Sequence, residues 1–255
     1  MNREIKALIL SAVFGVALDA ESGSKITVFI YNYAVVSAEV LATTEAEVSR
    51  ICAHAGIEIQ WLECPLSPHD ASQFPACQIS GGPTRLAVRI LSQSMAERLR
   101  QAEDSFAFAL YPDDGSLAIV ANVFAHDAEQ LSNQRGISYS VILGHLVAHE
   151  MGHLLLGARS HSVTGIMHVP WRVKELEVIA QGRMLFTPAE AARMRTNIRV
   201  RIAAAEAIEQ SSLLERGRAT VCPASFWKTP LSAYTTPSAF AALRRSDGLT
   251  HSIPP

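Results

Sequence analysis

The stretch "HLVAHEMGHLLLGARSHSVTGIM", His145 to Met167, decides how this chain is read. It carries four histidines, and Glu150 is the only charged residue from Ile137 to Gly157. Apolar residues occupy nearly every face of the repeat from about Ser138 to Leu156, which predicts a central, buried helix. A carboxylate and several imidazoles in such a helix need partners, because unpaired buried polar groups are expensive. A metal ion is one such partner. His149 and His153 are four apart and lie on one face, one turn apart. With Glu150 they make H-E-x-x-H, in which both imidazoles reach one zinc and the glutamate reaches water at that zinc. The same spacing also suits a satisfied pair of core histidines. Gly144 and Gly152 each cost about 1 kcal/mol against alanine in a helix interior and suggest close approach of another backbone.

Gly157 predicts the helix end and a chain reversal. His161 follows four residues later and can return as a third ligand, leaving a fourth position for water, which is the catalytic arrangement. Gly165-Ile166-Met167 then reads as a tight turn ending in a thioether.

With these residues the chain resembles the metzincin clan of zinc peptidases. The match lies in "HEMGH", Gly157, His161 and Met167. The clan's pattern is H-E-x-x-H-x-x-G-x-x-H followed by a methionine turn. Here it is stretched to H-E-x-x-H-x-x-x-G-x-x-x-H, with one extra residue on each side of the glycine. The resemblance implies a zincin-like α+β fold over roughly residues 25–210. It also implies one zinc ion per chain held by His149, His153 and His161, with Glu150 as general base. Met167 would then be a packing platform beneath the metal. Val169, Pro170 and Trp171 follow the turn, where the fold often builds a specificity pocket; for Trp171, packing at a helix start is an equal expectation. The implied reaction is hydrolysis of a peptide or protein substrate by a zinc-activated water. An extended substrate would pair with the exposed edge strand of the hairpin region.

Two rivals keep the zinc. In a gluzincin-type peptidase, Glu175 or Glu177 would supply the third ligand. In a non-catalytic zinc-binding module, Glu150 would have no task. A zinc-free α/β protein is the third rival. His145, one turn before His149, is expected to pack or to support a ligand. His168 is expected at the surface or along a cleft. His54, His69, His126 and His251 read as surface residues.

The rest of the chain is consistent with one sizeable domain. Its 255 residues are 49% hydrophobic and 18% charged, which describes a globular core. A formal net charge of -2, with no basic run and no Gly-rich phosphate loop, argues against nucleic acid as partner. Residues 1–20 read as a signal peptide: Arg3 and Lys6, an apolar run from Ala7 to Leu18, then Ala17 and Ala20 before a cleavage point. A secreted or periplasmic location follows, without stable membrane insertion after cleavage. Export permits disulfides, and Cys64 and Cys77 bound a Pro- and Ser-bearing loop as the expected pair. Cys52 sits at helical spacing with Leu41 and Val48 as a core position; Cys222 is unassigned.

"KITVFIYNYAVVS", "IEIQWLEC" and "TRLAVRILS" predict strands, with a helix over "AEVLATTEAEVSRICAHAG" between the first two. Ser94 and Glu97 predict a capping box for a short helix. "FAFALYPDDGSLAIVANVF" predicts a hairpin turning at Asp114-Gly115. Beyond the buried helix come a short helix in "WRVKELEVIAQG" and a long one opened by Thr187, Pro188 and Glu190. The expected architecture is a mixed, mainly parallel, five-stranded twisted sheet with an antiparallel edge strand. The active-site helix and a long C-terminal helix pack it. The catalytic domain spans residues 21–210, and 211–255 is a weakly ordered Pro/Ser/Thr-rich tail.

Overall fold

The computed structural model describes residues 24–77, 82–99, 106–110, 119–157 and 160–219. The expected signal segment, the Asp114-Gly115 turn, Cys222 and His251 lie outside them. Among the described residues, those up to Gln210 fall in one compact unit and those from Ser211 to Ala219 in a second.

The β-branched run after Ser24 becomes β1 (Ser24–Asn32), and its alternation decides which face is covered. Ile26, Val28 and Ile30 join the main core, whereas Phe29 packs on the opposite face with Ala87 and Cys64. Ser37 caps α1 (Ala38–His54), its Oγ accepting from the Val40 amide at 3.3 Å. Leu41, Val48, Ile51 and Cys52 form the buried stripe of α1. Gly56, at φ 73°, reverses the chain into β2 (Ile57–Glu63). A left-handed residue there costs glycine no Cβ clash.

The cysteine-bounded segment holds a short helix, α2 (Pro68–Gln73), and a 3₁₀ turn, Pro75–Cys77, both absent from the sequence expectation. Cys64 and Cys77 are disulfide-bonded. β3 (Arg85–Leu91) leads into α3 (Gln93–Leu99). This helix begins earlier than the expected Ser94 cap. The Ser92 carbonyl accepts its first amides, from Met95 and Ala96, so Ser94 lies within the first turn.

β4 (Ala107–Leu110) and β5 (Val120–Phe124) pair antiparallel, as a hairpin requires. The remaining neighbours pair parallel, and the sheet order is β2-β1-β3-β5-β4. The fold is therefore α+β, a mixed five-stranded sheet with β4 as its antiparallel edge.

Then α4 (Ala125–Arg135) precedes the buried α5 (Tyr139–Leu156). The sequence reading did not anticipate α4. Its buried positions are Ala125, Ala128 and Ser132, too small and polar to register as an apolar stripe. α5 lies against α1, α4 and the strands β3, β5 and β4. After it come α6 (Val173–Ala180) and α7 (Pro188–Ala219). Thr187 and Glu190 form the expected capping box, with bonds of 2.7 and 3.3 Å. α7 extends to Ala219, past the expected end at Gln210. Its first turns supply Ala191, Met194 and Ile198 to the core. Asn197 and Arg201 donate to the Leu155 and Leu154 carbonyls, two acceptors that the end of α5 leaves without helical partners.

Gly144 lies against the α1 backbone as expected, where a Cβ would stand 3.4 Å from the Thr44 carbonyl oxygen, whereas Gly152 admits side chains alone. A Cβ on Gly144 would stand 3.0 Å from Glu47 Cγ. A Cβ on Gly152 would stand 2.4 Å from Met167 Sδ and 2.9 Å from Phe186 Cε1. Gly152→Ala gains about 1 kcal/mol of helix propensity but overpacks two buried contacts at once, at the upper end of roughly 1–3 kcal/mol, for a net loss. The variant should melt several degrees below the parent, at about 2–4 °C per kcal/mol for a domain of this size. An unchanged Tm in thermal denaturation would refute the packing. The disulfide closes a loop of sequence separation 13. Replacing both cysteines by alanine should destabilise by about 2–4 kcal/mol in urea titration.

Candidate metal centre

α5 brings His149, Glu150 and His153 together by helical spacing, and all three side chains are buried. Gly157, at φ 106°, ends the helix and turns the chain. The returning segment presents Ser160 and His161. His161 then completes a three-histidine group whose ligand atoms all lie within 4.8 Å of one another. His153 Nε2 stands 3.1 Å from both His149 Nε2 and His161 Nε2. Two nitrogens on one tetrahedral zinc, at about 2.0–2.1 Å each, are about 3.3 Å apart, so the spacing suits that ion.

The protonation pattern points the same way. His149 Nδ1 lies 2.8 Å from the Ile166 carbonyl. A carbonyl only accepts, so Nδ1 carries the hydrogen and Nε2 presents a lone pair to the cluster. Burial pushes the His149 imidazolium down to about 4. His153 is lowered too, first by burial and then by the neighbouring His161. Neutral imidazoles are the form that ligates a metal.

The turn beneath the cluster is held to the rest of the fold. Ile166 donates to the Leu185 carbonyl at 2.9 Å, and Ser162 donates to the Met167 carbonyl at 3.2 Å. Gly165, at φ 79°, lets the turn lie against the Leu185 carbonyl, which a Cβ would meet at 2.9 Å. Met167 is fully buried and presses on Gly152, the residue before His153. It therefore packs against the ligand-bearing helix.

Glu150 is 4% exposed, and its Oε2 has no hydrogen-bond partner. Burial pushes its carboxyl up to about 8. Such a group is a liability for folding and a candidate for chemistry. Glu150 and the three histidines line one cleft of about 630 Å³. Phe106 and the β4 residues Ala107 to Ala109 border it, Leu131 and Leu146 add apolar surface, and Val169, Pro170 and Trp171 form part of its wall.

The other candidates separate clearly. Glu175 accepts from the Arg172 amide at 2.9 Å, capping α6, and its Oε1 is 4.0 Å from His168 Nε2. Neither Glu175 nor Glu177 belongs to the histidine group. His168 is half-buried, with Nδ1 3.2 Å from the Ser162 carbonyl. His145 is fully buried outside the group, its Nδ1 2.8 Å from the Val141 carbonyl and 3.7 Å from Glu47 Oε1. His54 and His69 are exposed, and His126 is partly so. Sequence reasoning missed Ser160, which is buried with Oγ 3.0 Å from His153 Nδ1. Its place directly before His161 was the available signal. It also missed Trp171 as a ring edge-on to His149 at 5.8 Å.

No protein-family model matches the sequence, and no curated protein matches it. Among solved structures, the chain is similar to archaemetzincin from Methanopyrus kandleri. The two are 11% identical, with a TM-score of 0.43, over 71% of this chain and 99% of that one.

His161→Ala should weaken zinc binding by more than about 100-fold, beyond the 10–100-fold typical of losing an outer partner. Competition with a chromophoric chelator measures it. Unchanged affinity would move the third ligand elsewhere.

Proposed function

We propose that this chain is a zinc-dependent peptidase, with His149, His153 and His161 holding one zinc ion and Glu150 serving as general base. The observation that carries this reading is the placement of a buried, unpartnered carboxyl beside three converging imidazoles at the floor of an open cleft. When bound, zinc supplies a Lewis acid that polarises a carbonyl, acidifies water and favours the ionised form of Glu150.

The remaining work falls to the protein's own groups. Glu150, in an apolar helix, has no competing hydrogen bond at Oε2. It accepts the proton of the attacking water and returns it to the departing amine. β4 is the terminal strand of the sheet and borders the cleft, so an extended peptide adds to it as a further strand. Val169, Pro170 and Trp171, which line the same cleft as Leu131 and Leu146, favour an apolar substrate side chain and exclude water from the reacting bond. The Cys64–Cys77 disulfide supports an oxidising, extracytoplasmic location.

A structural zinc site has no use for a buried carboxyl that raises the cost of folding. Glu150→Gln is therefore the decisive variant. It should retain about one zinc per chain by elemental analysis and melt no lower than the parent. Hydrolysis of a mixed peptide library, followed by mass spectrometry, should fall by about 10²–10⁴-fold. Undiminished hydrolysis would remove Glu150 from the mechanism. A parent protein that loads zinc yet cleaves nothing in the library would favour a binding module, and one that loads no zinc would end both readings.

A further inference from the structure

We propose that Ser160 is a positioning residue for the metal centre, its hydroxyl setting which nitrogen of His153 carries the hydrogen. The inference rests on the zinc reading above and assigns a role to a residue that touches no substrate.

The two helix histidines are held by chemically different partners. His149 Nδ1 faces the Ile166 carbonyl at 2.8 Å, which accepts and never donates. His149 is therefore locked with its hydrogen on Nδ1 and its lone pair on Nε2. His153 occupies the centre of the cluster, its Nε2 3.1 Å from each of the other two. Its Nδ1 faces Ser160 Oγ at 3.0 Å, while the Gly157 carbonyl stands farther off at 3.5 Å. A hydroxyl both donates and accepts.

That difference matters at the central ring. With no cation in the cluster, His153 Nε2 faces His149 Nε2 and His161 Nε2 at 3.1 Å each, and a hydrogen on this central nitrogen relieves the lone-pair repulsion toward both. Ser160 then donates to His153 Nδ1. With zinc bound, His153 Nε2 must present its lone pair, so the hydrogen resides on Nδ1 and is donated to Ser160 Oγ. The imidazole stays neutral throughout: one hydrogen leaves Nε2 for solvent and one is taken up at Nδ1. The serine hydroxyl rotates and remains bonded in both forms. A carbonyl in its place would serve one tautomer only.

The fold supplies the serine by the same reversal that supplies the third ligand. Ser160 precedes His161 and is buried against the ring, whereas His161 is exposed. One dipeptide thus delivers a ligand to the metal and a hydrogen-bond partner to the neighbouring ligand. Outer partners of this kind typically contribute 10–100-fold in metal affinity, so about that loss is expected here.

The test uses the full chain with Zn²⁺ as probe. Zinc affinity is measured by chelator competition for the parent, Ser160→Ala and Ser160→Thr, alongside the Tm of each protein stripped of metal. Ser160→Ala should bind zinc about 10–100-fold more weakly, and Ser160→Thr should recover most of the loss. Long-range ¹H–¹⁵N spectra of the imidazoles should show the parent's His153 hydrogen on Nε2 when stripped and on Nδ1 when zinc-loaded. Parent-like affinity in Ser160→Ala, or the same His153 tautomer with and without zinc, would overturn the proposal while leaving the peptidase reading intact. If alanine and threonine variants lose equal affinity and equal Tm, the role is packing and the proposal fails. A parent that binds no zinc would overturn both.

Discussion

His153 Nε2 cannot hold its lone pair toward the nitrogens of His149 and His161, each 3.1 Å away, without a cation or a hydrogen between them. Much of the structure is arranged to enforce that approach. α5 is buried on nearly all sides, so His149 and His153 cannot swing out to solvent. The Ile166 carbonyl and the Ser160 hydroxyl fix their rings from behind. Asn197 and Arg201 of α7 tie down the carbonyls at the end of α5, just before the reversal that brings His161 back. The apolar surroundings disfavour the charged forms of His149 and His153 and raise the affinity of Glu150 for its proton. Each of these contacts costs freedom or solvation, which a divalent cation held by the three rings would offset.

The sheet performs a separate task. Its parallel strands β2, β1, β3 and β5 are covered by α1 and α5 on one face and by small satellite clusters on the other. β4, antiparallel at the end, places a strand edge along the cleft. The cleft is thereby lined by a strand edge from β4 and by the histidine group of α5 and its returning loop. Gly152 links the two requirements of the helix. It lets the Met167 side chain press against α5 between the positions of Glu150 and His153, which holds the turn beneath the ligands.

The fold was largely legible in the residues because the signals were periodic. Alternating β-branched residues located β1, β2 and β3, and Thr187, Pro188 and Glu190 located the start of α7. Where periodicity is weak, the reading failed for a physical reason. α4 buries only alanines and a serine, so no apolar stripe announces it. α3 starts before Ser94 because the Ser92 carbonyl, a backbone group with no sequence signature, accepts its first amides. The glycines of α5 were read as sites for a second backbone, and the Thr44 carbonyl does approach Gly144, but at Gly152 the Met167 and Phe186 side chains fill the space instead.

At the centre itself, the sequence determined the ligand types, the helical pairing of His149 with His153 and the presence of an acid between them. These are local consequences of a 3.6-residue repeat. Whether His161 closes the group depended on the path of the chain beyond Gly157, which one-dimensional spacing does not specify, especially with an extra residue on each side of the glycine. Tertiary structure decided it, by strapping the turn to the Leu185 carbonyl and burying Met167 against Gly152. Tertiary structure also separated His145 from the cluster, directing its Nδ1 to the Val141 carbonyl beside Glu47. It likewise committed Glu175 to the cap of α6. Ser160 shows the boundary most plainly: its place before His161 marks it as near the site, but its meaning comes from the imidazole nitrogen that folding places 3.0 Å away.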